Sequence, residues 1–237
     1  EPAGDELLVE IEAAGVNPVD TYFVDGSYEP VGLPFTPGVD FAGTVSEVGD
    51  GVEGFESGDR VFGTGIGNGG FQGAYAEYAA VPTDRVVHLP DGINMVEAGA
   101  AGVAACTAWR ALIDHANLKP AQECLVHGGS GGVGHAAVQI AAAVSANVIT
   151  TAAPKYHDQL DALGADTILD YGRDDLADAV LEASGGGVDA VLDHRLDDYL
   201  QLDADVAANE ATVVGIGEND PDPSLPNVAG GRAKAGT

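Results

Sequence analysis

A run of glycines flanked by an apolar segment and a helix-forming segment is the part of this sequence best suited to ligand chemistry. Gly129-Ser130-Gly131-Gly132-Val133-Gly134 follows the apolar stretch Cys124-Leu125-Val126-His127 and precedes residues 135–143, which are mostly small and include no proline. A glycine turn between a strand and a helix lets the backbone approach a pyrophosphate, because the free N–H groups of the first helical turn then face the anion. This context predicts a dinucleotide-binding site; the alternative is a tight turn that binds nothing.

The elements that must position this loop alternate between strand and helix patterns after Asn94. Short apolar runs separated by helical segments of about ten residues predict parallel βαβ units, which wind into a doubly wound sheet. The predicted strands are Glu123–His127, Asn147–Thr151, Thr167–Asp170, Val188–Asp193 and Ala211–Ile216.

The residues before Asn94 show a different pattern, of short β-branched or alternating runs separated by glycine, proline and aspartate turns. We therefore expect two domains: residues 1–94, mostly β, and residues 95–237, which bind the dinucleotide. Both are expected to be incomplete, since the chain opens at Glu1 without an initiator methionine and closes on the Gly/Ala-rich stretch Ala229–Thr237. A sixth strand of the sheet is missing from the count, so the chain is expected to be truncated at both ends.

The charge balance is strongly acidic, with 38 Asp and Glu against 9 Lys and Arg and a formal net charge of −29. Acidity spread along the whole chain repels nucleic acids and anionic membranes, so neither is an expected partner. It is typical of a cytoplasmic protein of a salt-accumulating halophile, since molar salt shortens the Debye length to roughly 3 Å; an ordinary acidic protein in low salt is the alternative.

No uninterrupted apolar stretch reaches the roughly 18 residues of a membrane helix. Cys106 and Cys124 are both expected to be buried small hydrophobes.

Five further motifs precede the glycine loop along the chain, at residues 15–22, 37–43, 58–61, 73–78 and 107–112. With them the chain resembles the medium-chain dehydrogenases/reductases, specifically the zinc-free quinone oxidoreductase branch that includes zeta-crystallin. The resemblance implies an α/β architecture, with a GroES-like, mostly β domain followed by a Rossmann domain, and a homodimeric enzyme. It also implies NADPH-dependent reduction of quinones or related small electron-poor acceptors by transfer from the nicotinamide.

Two alternatives to that function stay open. Reduction of the activated C=C bond of an enal, enone or enoyl thioester shares the fold, and a protein that binds the cofactor without catalysis is a third possibility. Zinc is not expected, because the positions where zinc-dependent relatives carry cysteine, histidine and glutamate hold Asn17 to Asp20 and Val39-Asp40 here. One loop departs from the family, since His194-Arg195 stands where many relatives have a glycine pair.

The resemblance also assigns residues to the two ligands. Asn17, Asp20, Tyr22 and Tyr28 align with polar residues that line the substrate side of the nicotinamide in similar reductases, with no single acid or base assigned; Asp20 could equally be a helix N-cap. No acidic residue directly precedes Lys155, where NAD-binding sites usually carry one, so Lys155 is predicted to pair with the 2′-phosphate of NADPH or else to be a solvated residue at a helix start. The predicted cofactor-binding residues are Tyr22, Gly129, Ser130, Gly131, Gly132, Val133, Gly134, Thr151, Lys155, Tyr171, Gly215 and Ile216.

Overall fold

The computed structural model of the chain describes residues 2–30, 32–67, 71–216 and 234–236, so most of the predicted C-terminal stretch Ala229–Thr237 lies outside the described residues. Contacts between residues divide the chain into two units, Glu1–Cys106 and Thr107–Thr237. This division comes later in the chain than Asn94. The first turns of the helix that begins at Met95 pack against residues of the first unit such as Ala42, so the start of this helix belongs to that unit. The domain boundary after Asn94 stays a prediction.

The first unit is built on a five-stranded antiparallel sheet. Its strands are β1 (Glu6–Gly15), β2 (Asp40–Val48), β3 (Arg60–Thr64), β4 (Tyr78–Pro82) and β5 (Val86–His88). They lie in the order β4-β1-β2-β3-β5. Leu7 and Val9, alternate residues of β1, are fully buried in one apolar core with Phe41 and Val45 of β2. Val9 pairs with Val45, and this burial determines the register of the two central strands.

A helix that the sequence did not predict follows β1. This helix, α1 (Pro18–Asp25), has Pro18 at its first position, where a missing N–H is no loss, and Gly26 ends it with a φ of 84°. Asn17 is the N-cap, and the carboxylate of Asp20 accepts a hydrogen bond from the Asn17 N–H at 2.8 Å. The alternative interpretation of Asp20 as an N-cap is therefore wrong, since Asp20 is the third residue of the helix.

The second unit contains a parallel sheet with helices between its strands. It is preceded by α2 (Met95–Trp109), which continues into it as a π-helical stretch, Arg110–His115. Its elements are β6 (Glu123–Val126), α3 (Gly132–Ala143), β7 (Asn147–Thr151), α4 (His157–Ala162), β8 (Thr167–Leu169), α5 (Leu176–Ala183), β9 (Val188–Asp193), α6 (Leu196–Val206), β10 (Ala207–Gly215) and β11 (Lys234–Gly236).

The strand order of the second sheet is that of a dinucleotide-binding Rossmann domain. The strands lie in the order β8-β7-β6-β9-β10-β11, and neighbouring strands are parallel. The predicted fold class is confirmed. The expectation of a missing sixth strand is wrong, because β11 pairs with residues 212–214 of β10; a strand of three residues is too short for a sequence pattern to reveal.

The second sheet is buried on both faces, which explains why its strands are almost continuously apolar. Val126 and Leu192 belong to the core on one face, while Leu125 and Val191, one residue earlier in each strand, belong to a second apolar cluster. Ala137 of α3 is fully buried against the first of these cores. Within the described ranges, none of the helices has the length and hydrophobicity that crossing a bilayer requires.

The two cysteines differ in their environment. Cys124 lies in β6 and is fully buried, as predicted, and burial raises the pKa of its thiol to about 12. Cys106 is exposed on α2, so the expectation that both cysteines are buried is wrong. Most residues of α2 are small and apolar, and they occur on every side of the helix, so the sequence pattern does not distinguish its buried face from its exposed face.

We expect iodoacetamide to label Cys106 and not Cys124 in the folded protein. The thiolate is the reactive form, and a thiol with a pKa of about 12 is almost entirely protonated at neutral pH. Mass spectrometry after labelling, with and without denaturant, measures both sites, and Cys106→Ser is the control that leaves Cys124 alone. Equal labelling of both thiols in the folded protein would contradict the burial of Cys124.

Candidate functional site

The glycine loop leaves the carboxyl end of β6, at the point where the strand order of the second sheet reverses. β6 lies between β7 and β9, and the chain continues from β6 through β7 to β8 on one side before it crosses to β9 and β10 on the other. In open parallel sheets, ligands bind outside the carboxyl ends of the strands at this switch point. The fold therefore places the loop where a dinucleotide is expected.

The start of the loop is held by backbone geometry and by the neighbouring strand. Gly128 has a φ of 65°, in the left-handed region that favours glycine. Its N–H donates to the Thr151 hydroxyl at 3.1 Å, and the Gly129 N–H donates to the Thr151 carbonyl at 2.9 Å. Thr151 is buried, so its described contacts support the loop from below. Its predicted contact with the cofactor stays a prediction.

The first turn of α3 presents N–H groups to an anion. The backbone N–H of His135 donates to the carbonyl of Gly131 at 3.0 Å, and this is the first hydrogen bond of the helix. The N–H groups of Gly132, Val133 and Gly134 precede it, so helix geometry gives them no acceptor within the helix. The first turn contains no acidic residue, and the positive end of the helix dipole favours a negative ligand there.

The glycines of the loop have different reasons to lack a side chain. A Cβ at Gly134 would collide with the carbonyl oxygen of Gly128, and one at Gly129 would collide with the hydroxyl of Thr150. A Cβ at Gly131 would lie 3.2 Å from the Gly128 carbonyl oxygen. At Gly132, however, a Cβ would meet no atom within 4 Å other than those of its chain neighbours and of its own helix backbone. Packing thus requires Gly129 and Gly134, whereas the space at Gly132 is left open above the first turn.

Apart from Tyr22, which lies on α1, the other predicted cofactor residues lie at the carboxyl ends of neighbouring strands. Lys155 follows β7 in a single 3₁₀ turn and is exposed, with its Nζ 4.7 Å from the centre of the Tyr156 ring. Tyr171 follows β8 and is also exposed. Gly215 ends β10 at a point where a side chain would collide with Leu196, and the N–H of Ile216 donates to the Asp193 carbonyl at 2.8 Å. One edge of the sheet therefore collects all of these positions.

In the first unit, the predicted substrate residues separate into a polar pair, the half-buried Asn17 and the buried Asp20, and an aromatic pair, the half-buried Tyr22 and the exposed Tyr28. The Asp20 carboxylate is buried and accepts hydrogen bonds from the N–H groups of Asn17 at 2.8 Å and Val39 at 3.0 Å. The side-chain amide of Asn17 donates to the buried carboxylate of Asp40 at 2.9 Å. These contacts attach α1 to the start of β2. Contact of Asn17 and Asp20 with a substrate stays a prediction, and both Asp20 oxygens are already engaged within the protein.

The aromatic pair is more accessible. Tyr22 and Tyr28 lie edge to face with ring centres 5.4 Å apart, and the Tyr28 N–H donates to the Tyr22 carbonyl at 2.8 Å. Phe23 packs against Tyr28 at 5.6 Å and fixes its ring from the buried side. Half of the Tyr28 surface is exposed. The two phenol rings are thus held in a fixed mutual orientation and can present both an apolar face and a hydroxyl group.

Tyr75 is a residue of this region that the sequence did not identify. Its hydroxyl lies 2.9 Å from the Asp20 carboxylate and 3.2 Å from the Gly15 carbonyl oxygen. Desolvation, the hydrogen bond to Asp20 and the negative charges of Asp20 and Asp40 raise the pKa of the Tyr75 phenol to about 12. The phenol therefore stays protonated as a donor. Tyr75 and Asp20 are 55 positions apart in the chain, so no local sequence pattern could have revealed the contact.

The described residues contain no group of three or more His, Cys, Asp and Glu side chains arranged to hold a metal ion. The two cysteines lie in different elements, Cys106 on α2 and Cys124 in β6. A structural zinc site requires about four close ligands and a catalytic one about three. Neither donor set is present in the part of the chain that the structure describes.

Comparison with known proteins gives matches along most of the chain. The family model of the alcohol dehydrogenase GroES-like domain matches residues 3–91, and that of the zinc-binding dehydrogenase matches residues 132–229. The chain is 36% identical over 223 residues to the quinone oxidoreductase of Lama guanicoe, a match that covers 93% of this chain and 66% of that protein. The chain therefore spans about two thirds of the length of this relative.

Two similar solved structures are described by different activities. The structure of Escherichia coli quinone oxidoreductase complexed with NADPH superposes with a TM-score of 0.83 at 29% identity, covering 100% of this chain and 73% of that one. The CurK enoyl reductase superposes with a TM-score of 0.81 at 28% identity, covering 92% of this chain and 67% of that one. Similarity of fold therefore does not distinguish the two activities.

We expect Gly134→Ala and Gly132→Ala to differ sharply in stability. The methyl group at position 134 would collide with the Gly128 carbonyl and should destabilise the protein by about 1–3 kcal/mol. At position 132 the methyl group enters open space and should change stability by no more than about 0.5 kcal/mol. Urea unfolding followed by circular dichroism measures both. Equal stability of the two variants would disprove the close packing of this turn.

Proposed function

Because the chain belongs to the medium-chain dehydrogenase/reductase superfamily, we propose that it is an oxidoreductase that uses NADPH to reduce quinones or related electron-poor acceptors. The observation that carries the proposal is the open space above Gly132, next to N–H groups that have no acceptor within their helix. The description of the E. coli relative as a quinone oxidoreductase complexed with NADPH supports it.

The residues of the loop fit the pyrophosphate of a dinucleotide. The N–H groups of Gly132 and Val133, within the predicted contact stretch Ser130–Val133, would bind the phosphates, and the absent side chain at Gly132 leaves room for them. The nicotinamide supplies the reducing equivalent when it is bound. The protein's part is to hold the dinucleotide against the edge of the sheet, and Thr151 contributes indirectly by fixing Gly128 and Gly129.

The choice of NADPH over NADH depends on Lys155. It is an exposed cation in a chain that has only 9 Lys and Arg residues, and it follows β7 at the edge where an adenosine ribose is expected. The described residues include no acidic partner within ion-pair distance of its ammonium group. Tyr171, exposed beyond β8, is proposed as a second contact on the adenosine side.

For the acceptor, we propose contacts with the phenol rings of Tyr22 and Tyr28. A flat quinone ring stacks on aromatic faces, and a hydroxyl donor can hydrogen-bond its carbonyl oxygen. The described residues offer no zinc ligand set, so the reaction is proposed to proceed without zinc. Reduction of an activated C=C bond is the second candidate, favoured by the similarity to the CurK enoyl reductase, and binding of the cofactor without catalysis is the third.

The acidic surface supports proposals about the cellular setting. With 38 acidic side chains and 9 basic ones, most carboxylates have no cation available to pair with, and high salt would screen their repulsion. We propose a cytoplasmic protein of a halophile that acts as a homodimer on a small-molecule acceptor. Its charge disfavours nucleic acid as a partner.

We expect the protein to oxidise NADPH in molar KCl when a set of quinones is tested as acceptors. Enones and enoyl thioesters should be turned over more slowly or not at all. The assay uses the full-length protein, and elemental analysis of the same sample should find no stoichiometric zinc. Gly132→Val should abolish turnover because its side chain fills the phosphate space, while Gly4→Val, another glycine with open space at its Cβ, should not. Turnover of enones alone would favour the second candidate. NADPH binding with no turnover would favour the third.

We expect Lys155→Glu to weaken NADPH binding at least tenfold more than NADH binding. A hydrogen bond to a charged group contributes about 1.5–3 kcal/mol, and the new carboxylate would also repel the 2′-phosphate. Lys119→Glu is the matched control, because Lys119 is also exposed but precedes β6, at the opposite end of the strands. Dissociation constants come from fluorescence titration. An equal loss for both cofactors would show that Lys155 does not recognise the 2′-phosphate.

A further inference from the structure

A buried cluster of ionisable side chains lies directly below the glycine loop. His127, the residue before Gly128, has its Nε2 2.8 Å from Oδ1 of Asp203 on α6, and both side chains are fully buried. The ring of Tyr199, one helical turn earlier on α6, stacks on the His127 ring with centres 4.5 Å apart. Asp193, the last residue of β9, is also fully buried. These groups lie at the switch point of the sheet.

The carboxyl groups of Asp193 and Asp203 are both fully buried in this cluster and lie close enough to interact. Oδ1 of Asp193 accepts the Arg195 N–H at 2.7 Å, and Oδ1 of Asp203 is paired with His127. The second oxygen of each, Oδ2, is buried without a hydrogen-bond donor among the described residues. Desolvation and the charge of Asp203 raise the pKa of Asp193 to about 6. One proton shared by the two carboxyl groups would account for both observations.

The cluster contacts the glycine loop on two sides. The Thr151 hydroxyl that accepts the Gly128 N–H lies 3.4 Å from Nδ1 of His127. On the other side, a Cβ at Gly128 would lie 2.6 Å from Cε1 of His194, so the His194 ring rests against the loop. His194 lies between Asp193 and Arg195 in the chain. The hydrogen bond from the Arg195 N–H to the Asp193 carboxylate fixes this three-residue segment. A displacement of either carboxyl group therefore displaces the surroundings of Gly128.

We propose that Asp193 and Asp203 share one proton that positions the glycine loop, so that affinity for a dinucleotide falls when this proton is lost. The inference rests on the function proposed above. Asp193 is accordingly a positioning residue, since it acts through the backbone of Arg195 and the ring of His194. Two interacting carboxylates in a buried site repel each other strongly, and the added negative charge also opposes a pyrophosphate at the loop.

The direction of the pH dependence follows from the raised pKa. The pKa of Asp193 is about 6 in the folded protein, against an ordinary value of 3.8. The protonated carboxyl therefore stabilises the folded state fully below pH 3.8, and this stabilisation is lost as the pH rises through about 6. Dinucleotide affinity should fall over the same range. The titratable and charged groups that face Asp193 from the elements around it are His127 after β6, His194 and Arg195 after β9, and Tyr199 and Asp203 on α6.

Calorimetric titration with ADP-ribose from about pH 5 to about pH 8 tests the proposal. This probe has the pyrophosphate but no 2′-phosphate, whose own pKa near 6 would confuse the result. We expect binding by the wild-type protein to weaken roughly tenfold, which corresponds to a one-unit change in the pKa of the cluster on binding. Asp193→Asn supplies a fixed amide donor to Asp203 and should bind with a nearly constant affinity.

Asp205→Asn is the matched control, since Asp205 is exposed on the same helix and the charge change is identical. It should keep the wild-type pH dependence. Asp203→Asn, the second variant, removes the interacting charge and should move the pH dependence to lower pH. Thermal unfolding without ligand provides an independent measurement, in which Asp193→Asn should melt higher than wild type above about pH 6.

The outcomes separate this proposal from the proposed function. An equal pH dependence in wild type and Asp193→Asn, or none in wild type, overturns the shared proton as a positioning device while leaving dinucleotide binding intact. No binding of ADP-ribose at any pH overturns the dinucleotide site itself. If Asp193→Asn does not fold, a pH dependence of Asp203→Asn identical to that of wild type overturns the proposal.

Discussion

The close packing of the first turn of α3 against the turn after β6 is the constraint on which the candidate site depends. The Gly128 carbonyl occupies the space that a side chain at Gly134 would need, and the Gly129 backbone lies against Thr150. Because turn and helix touch through backbone atoms, the helix begins directly at the edge of the sheet. Its first N–H groups are then available to a ligand, with open space above Gly132.

Buried carboxylates have two different roles in this acidic chain. In the first unit, Asp20 and Asp40 accept hydrogen bonds from neutral donors, and in this way they join α1 and α2 to β2. In the second unit, the buried carboxyl groups of Asp193 and Asp203 interact with each other, and each has one oxygen without a donor among the described residues. Neutral N–H donors can satisfy a buried carboxylate, whereas two interacting carboxyl groups need a proton. Only the second arrangement couples a structural contact to pH.

The sequence predicted the strands of the second sheet closely. The bounds of β7 and β9 agree with the prediction at both ends, because each is a short apolar run bounded by polar or small residues and buried on both faces. Short elements with little apolar surface were missed. Of the eight residues of α1, only Asp20 and Phe23 are buried, so no apolar periodicity marks the helix. The three residues of β11 likewise contain too little pattern.

The candidate site likewise has parts that the sequence predicted and parts that it did not. The sequence by itself determined the glycine loop and its place between a strand and a helix, because left-handed backbone and close helix packing are local demands that only glycine meets. The tertiary structure alone decided which polar groups meet below and beside it. His127 and Asp203 are 76 residues apart, and Val103 and Asp40 are 63 apart. Such contacts depend on how distant elements pack, and no local spacing of residues encodes that packing.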